Sequence, residues 1–299
     1  MNWITLSLLS ALMLGLYEVA KKATIDGNAV IPALFTSSLC GLGFLLPLLG
    51  IARLAPEFAA HWGFALAPMN LHGHLLIFLK AIIVTLSWVL TYFALKHLPI
   101  SLASPVRASA PLFTLMGALV LFNERPSLHQ WFGILCVLVA YWGFSLIGRM
   151  EGIHFERNKW VWFLFAGTLV GAASGLYDKH LLQSARLSPM AVQFWFAVYA
   201  CVIQGLIFAF AWWPTRHKTT PFQWRYSIPM VALLLLLADA VYFRALFAPG
   251  ALVSIVSTIR RTNVVISFAI GGFAFHERYR LRKATALLGV LAGLVLLMK

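Results

Sequence analysis

Ser254-Ile-Val-Ser-Thr-Ile-Arg260-Arg261 places two adjacent guanidinium groups inside a long apolar run. An ion at the centre of a bilayer costs about 3 kcal/mol even on lenient insertion scales, so such a pair needs a cavity or a partner. One other stretch has the same form, Ser101-Leu-Ala-Ser104-Pro-Val-Arg107. Both read S-x-x-S-x-x-R with Arg107 matching Arg260, and both lead at the same spacing into Glu-Arg, at Glu124-Arg125 and Glu277-Arg278. The pattern predicts matching helices of an internally duplicated chain.

Composition sets the class. The 299 residues are 61% hydrophobic and 11% charged, with a mean hydropathy of +0.86. Soluble domains carry about 25% charged residues. The formal net charge of +14 does not point to nucleic acid, because the basic residues outside the apolar runs lie in short connectors where topology signals sit. No zinc spacing or RNA-binding signature accompanies them. Cys40, Cys136 and Cys201 each lie within an apolar run without a CxxC partner or histidine cluster, so they read as packing residues and no metal is expected. The first apolar run has no basic leader and is expected to remain as a span.

Ten apolar segments are long enough to cross a hydrocarbon core, roughly 2–22, 29–51, 74–96, 101–121, 129–148, 159–183, 189–213, 228–247, 251–274 and 282–298. The longest connector holds Trp62-Gly-Phe64, which suits a segment lying in the interface. Gly15-Leu-Tyr17-Glu18 recurs as Gly175-Leu-Tyr177-Asp178. Small residues precede both at every fourth position (Ser7, Ala11, Gly15 and Gly167, Gly171, Gly175), a face on which a neighbouring backbone packs closely. The expected architecture is therefore an all-α polytopic membrane protein whose ten transmembrane helices form two copies of a five-helix unit, residues 1–148 and 149–299. Five is odd, so the second copy enters from the opposite side, as in the inverted repeats of secondary transporters.

Charge asymmetry gives an orientation. One face of the membrane receives Lys21, Lys22, Lys96, Arg149, Arg157, Lys159, Arg216, Lys218, Arg225, Arg278, Arg280, Arg282 and Lys283; the other receives Arg53, Arg125, Arg186 and Lys299. The positive-inside rule puts the first set in the cytoplasm and both termini outside, in a cell (inner) membrane.

The duplicated five-helix unit, the acid in the first helix of each copy and the turns Asn123-Glu-Arg-Pro-Ser-Leu128 and His276-Glu-Arg-Tyr-Arg-Leu281 resemble the EamA-domain branch of the drug/metabolite transporter superfamily. The resemblance spans the chain and implies a ten-helix transporter of amino acids, sugars, nucleotide sugars or drugs. It also implies cytoplasmic termini, against the charge count. More narrowly, Arg260-Arg261 is similar to the basic pair that plastid phosphate translocators place on the substrate phosphate.

Apart from the charges at span ends, already counted with the connectors, nine ionisable residues fall within the expected spans: Glu18, Lys80, Arg107, Asp178, Lys179, Asp239, Arg244, Arg260 and Arg261. Six bases less three acids leave +3, which a negatively charged substrate would balance. Guanidinium offers carboxylate or phosphate two parallel donors and keeps its charge. Arg107 and Arg260 are expected on the substrate, with Arg260 the leading member of its pair and Arg261 on a different helix face. Glu18 and Asp178 are expected at the cavity as binding or proton-coupling groups, although Glu18 could instead pair with Lys22 one turn on. Lys80 lies near the start of its span and could snorkel; Asp239 and Arg244 could bridge helices. Ser104 and Ser257 share faces with the arginines, while Tyr17, Tyr177, Trp88 and Tyr242 could wall the site or simply pack.

The sequence thus predicts a secondary transporter of a small anionic or zwitterionic metabolite, using a proton or a counter-anion and no cofactor. The competing reading is a multidrug or cation exporter with Glu18 and Asp178 as counter-ions. There is no P-loop to drive it with ATP. No H-x-x-x-D, HExxH or GxSxG constellation supports an enzyme.

Overall fold

A computed structural model describes residues 2–55, 57–58, 68–108, 110, 112–113, 127–150, 152–154, 156–249, 251, 256, 259–275 and 279–297. Among these there is no strand. The α-helices are α1 Trp3–Ile25, α2 Val30–Leu54, α3 Leu71–His97, α4 Ile100–Ala108, α5 Leu128–Met150, α6 Lys159–Lys179, α7 Pro189–Ile207, α8 Ser227–Phe247, α9 Asn263–Ala274 and α10 Arg280–Leu297. Short π-helical segments, His180–Ser184 and Phe208–Trp212, prolong α6 and α7. Among the described residues six helices are long and apolar enough to cross a bilayer: α1, α2 and α3, and α6, α7 and α8 with their extensions. The Glu-Arg turns, the Trp62 segment, Ser257 and the Ser104 side chain lie outside the described residues.

Helix is the state this sequence needs, because a bilayer offers no partner to a bare N–H or C=O and a helix satisfies them within one segment. The ends are marked locally. Asn70 caps α3 by accepting from the Gly73 N–H at 2.9 Å, Asn158 caps α6 through Trp160, and Ser188 precedes Pro189 at the start of α7 and accepts from Ala191. Between α1 and α2 the chain reverses at Gly27, whose φ of +62° lies in the left-handed region.

Burial runs opposite to that of a soluble protein. Leu8, Leu39, Leu46, Leu75 and Leu206 are exposed, whereas Glu18, Lys21, Lys80 and Asp178 are buried. The apolar exterior matches a lipid solvent, and the polar interior is where function is to be sought. The chain is a multi-pass membrane protein.

Packing is reciprocal between α1–α5 and α6–α10. Helix α1 lies on α8 and α9; α6 lies on α3 and α4; α2 packs on α8, and α3 on α7. The pairs α2–α7, α4–α9 and α5–α10 also touch. Exchanging each helix for the one five places away maps every pair in this set onto another pair or onto itself.

Small residues make the close approaches, as their spacing predicts. A Cβ on Gly15 would lie 2.5 Å from Ile266 Cβ of α9, and one on Gly167 would lie 2.6 Å from Thr91 Cγ2 of α3. Where backbones approach this closely, hydroxyls cross: Ser10 donates to the Ala238 carbonyl at 2.8 Å and Ser87 to the Gly167 carbonyl at 2.7 Å. Gly175, the last of its stripe, has nothing within 4 Å of a Cβ. Gly15→Val should therefore cost about 1–3 kcal/mol from overpacking and lower the thermal midpoint of the detergent-purified protein by several degrees. Gly175→Ala should leave that midpoint unchanged or raise it.

Candidate functional site

The helices enclose a cavity of about 150 Å³ between α1, α3, α4, α6, α7 and α8. Its wall brings together residues far apart in sequence: Tyr17 and Glu18 from α1, Lys80 and Trp88 from α3, Arg107 from α4, Asp178 from α6, and Asp239 and Tyr242 from α8. Arg260 and Arg261 enter from the helical residues just before α9, and Asn263 from its first position. There the helical ladder is interrupted at Thr262, whose N–H bonds three residues back to the Ile259 carbonyl while its own carbonyl accepts from Val265. Irregular backbone at membrane depth is tolerated where it lines a cavity.

Each acid of the cavity has a basic partner. Glu18 binds two: its Oε1 accepts from Arg107 Nη1, and its Oε2 lies 2.7 Å from Lys21 Nζ as an ion pair without the angle of a directed hydrogen bond. Asp178 accepts from Lys80 and, at 3.4 Å, from the Tyr242 hydroxyl. Asp239 accepts from Arg260 Nη2 at 2.9 Å. Aromatic faces supplement the carboxylates. Lys21 lies 4.7 Å from the centre of the Tyr17 ring, Lys80 is 5.0 Å from Phe196 and from Phe243, and the Arg260 guanidinium is 3.8 Å from Tyr242.

Arg261 is different. It lines the cavity, has no carboxylate partner among the described residues, and its buried Nε has no hydrogen-bond partner. The sequence put Arg260 foremost of the two; the Asp239 ion pair occupies Arg260 and leaves Arg261 as the available guanidinium.

Other expectations also shift. Lys80 does not snorkel: it is 3% exposed and tied to Asp178. Lys22 does not pair with Glu18, because its ammonium donates to the Leu95 and Leu98 carbonyls at the end of α3. Tyr177 is off the cavity wall and donates to the Leu76 carbonyl at 3.2 Å, unlike its counterpart Tyr17, whose hydroxyl lies 3.4 Å from that of Tyr92. Ser101 accepts from Lys283 at 2.8 Å rather than facing the cavity. Lys179 and Arg244 do not line it. The wall thus carries Lys80, Arg107, Arg260 and Arg261 against Glu18, Asp178 and Asp239, four minus three, or +1 among the described residues. Adding Lys21, buried behind Glu18, makes five minus three, or +2, in place of the +3 read from sequence.

Sequence reasoning missed Lys21, although its signal was present: it follows Glu18 by one helical turn, where side chains meet. It also missed Asn263, Ser87, Ser174 and Phe196, which carry no mark in sequence that separates them from packing residues.

An apolar exterior around a charged central cavity defines a polytopic membrane protein. Residues 1–146 match the EamA-like transporter family, which places the chain in the drug/metabolite transporter superfamily; it is a membrane transporter and not an enzyme. A solved crystal structure of a protein shares 16% identity over 98% of this chain and 98% of its own, with a TM-score of 0.61, and so shares the fold. No curated protein matches the chain.

The Lys80–Asp178 pair ties α3 to α6, and its side chains are 3% and 8% exposed. Asp178→Asn strands a buried ammonium, and about 3–5 kcal/mol of destabilisation is expected. Replacing both partners, Lys80→Met with Asp178→Leu, should restore most of the loss when thermal unfolding is followed in detergent.

Proposed function

We propose that this transporter moves a small anionic or zwitterionic metabolite, carboxylate- or phosphate-bearing, by alternating access between two inverted five-helix repeats. The observation that carries this reading is Arg261, a guanidinium on the cavity wall with no acid partner among the described residues. A substrate anion is the partner its two parallel donors fit. The cavity's surplus of positive charge acts in the same sense. Its volume of about 150 Å³ is below the roughly 300–1,000 Å³ typical of drug-sized ligands, which favours a metabolite over a bulky drug.

Alternating access fits the reciprocal packing of α1–α5 with α6–α10, which supports the division at residues 148 and 149. The cation-export reading needs Glu18 or Asp178 as a free counter-ion, and both carry basic partners. The same acids remain the coupling groups for a proton, and exchange against a counter-anion would need neither.

Arg261→Ala should lower proteoliposome uptake of radiolabelled substrate at least tenfold, with a panel of small carboxylates, phosphate esters and α-amino acids used to find it. Unchanged uptake in that variant, or ethidium efflux that depends on Glu18 and not on Arg261, would sink the anion reading.

Orientation follows the charge count. Lys21, Lys22 and Lys283 are buried in the protein, so thirteen less three leaves ten basic residues against four. The ten-residue side is placed in the cytoplasm of an inner membrane, with both termini outside. A phosphatase fused after Lys299 should be active and a fluorescent protein there dark; the opposite result reverses the orientation.

A further inference from the structure

A second, smaller cavity of about 50 Å³ adjoins the first, between α2, α3, α7 and α8. Trp88, Phe196, Leu235 and Asp239 line both and form the partition between them. The two compartments differ in chemistry. The first is walled by ionised side chains. The second is walled by Leu34, Ala197, Ala200, Val231 and Leu236, and the polar groups it includes are engaged within the protein. Ser37 donates to the Ala33 carbonyl, Ser38 to Gln204 Oε1 at 2.6 Å, Gln193 to the Leu236 carbonyl at 2.8 Å, and Asp239 is held by Arg260. Because these groups are already satisfied, the compartment favours an apolar occupant. At about 10–15 Å³ for each water-sized site, it holds roughly three to five heavy atoms.

We propose that this side pocket receives the apolar part of the substrate, whose anionic group is held by Arg261. The inference rests on the anion reading above and refines it. The substrate is a small organic acid that joins one anionic group to a short apolar chain or branch. Gly41 sets the depth. A Cβ there would lie 3.8 Å from Ala232 Cβ and 3.9 Å from Leu236 Cδ1, ordinary contacts, so a larger side chain would enter the pocket without a backbone clash. Trp88 and Phe196 meet edge to face, with ring centres 5.7 Å apart, at the partition. They are the side chains that must part or tilt to admit the chain.

Calorimetric titration of the detergent-purified protein with unbranched carboxylates from acetate to heptanoate tests this, with n-alkylphosphonates of equal length in parallel. Affinity in one of the two series should rise about fourfold per methylene and stop rising once the pocket is full. Gly41→Leu should abolish the rise, and Gly41→Ala should bring the limit one carbon earlier, so the milder variant decides if the larger one does not fold. Affinity independent of chain length in both series, or an unaltered slope in both Gly41 variants, overturns the side-pocket assignment. Pentan-1-ol binding as tightly as pentanoate overturns it too, since the pocket would then act apart from the anion site. Acetate or methylphosphonate binding that is lost in Arg261→Ala but has no length dependence defeats this inference alone. No binding in either series defeats this inference, and defeats the anion reading too if the uptake panel of phosphate esters and α-amino acids shows no Arg261-dependent substrate.

Discussion

Ionised side chains in a solvent that cannot hydrate them set the terms for this fold. A buried charge without a partner costs several kcal/mol, and one with a well-placed partner roughly breaks even. The three acids of the cavity are accordingly matched to bases, and each match crosses between elements. Glu18 joins α1 to α4 through Arg107, Asp178 joins α6 to α3 through Lys80, and Asp239 joins α8 to the helical residues just before α9 through Arg260. These pairs contribute less to net stability than to register. Each is satisfied in one rotational setting of its helices, so together they fix which faces meet at the centre.

Those pairs can form only because the helices are brought close by something cheaper. Glycine and serine at Ser10, Gly15, Ser87 and Gly167 remove side-chain bulk at the crossings of α1 with α8 and α9, and of α3 with α6. Lipid is as apolar as leucine, so helices gain little from burying apolar surface against one another and depend on close packing instead. Where the stripe of small residues runs on past the crossing, to Gly175, the missing side chain leaves space instead of contact. One sequence pattern therefore produces both the tight crossing and part of the cavity beyond it.

Much of the helix layout was legible in the sequence, because span length and the cost of an intramembrane ion are both properties of the sequence. Glu18, Lys80, Arg107, Asp178, Asp239, Arg260 and Arg261 were all marked by that cost, and all line one cavity. Partnership was not legible. Lys179 and Arg244 carried the same mark and lie elsewhere, and Tyr177 departs from Tyr17 despite a matching local motif. Which way a residue points depends on how its helix is rotated, and rotation is set by neighbours distant in sequence. Apolar residues are worse still: Leu34, Ala200 and Val231 come to the side pocket from three helices, and nothing in their identity distinguishes a pocket wall from a core. Lys21 was counted with a connector because it stands at the very end of the expected first span, whereas the helix continues past it to Ile25.

Adjacent residues cannot move independently. Arg260 is latched to Asp239 and stacked on Tyr242 of α8, while its neighbour Arg261 is free of any carboxylate among the described residues. Both sit on the same turn, directly before the interruption at Thr262. A pull on Arg261 is thus a torque on the latch, and the force is borne by the contact between α8 and the approach to α9. The doubled arginine is a lever with one arm exposed to the cavity and the other fastened to the scaffold.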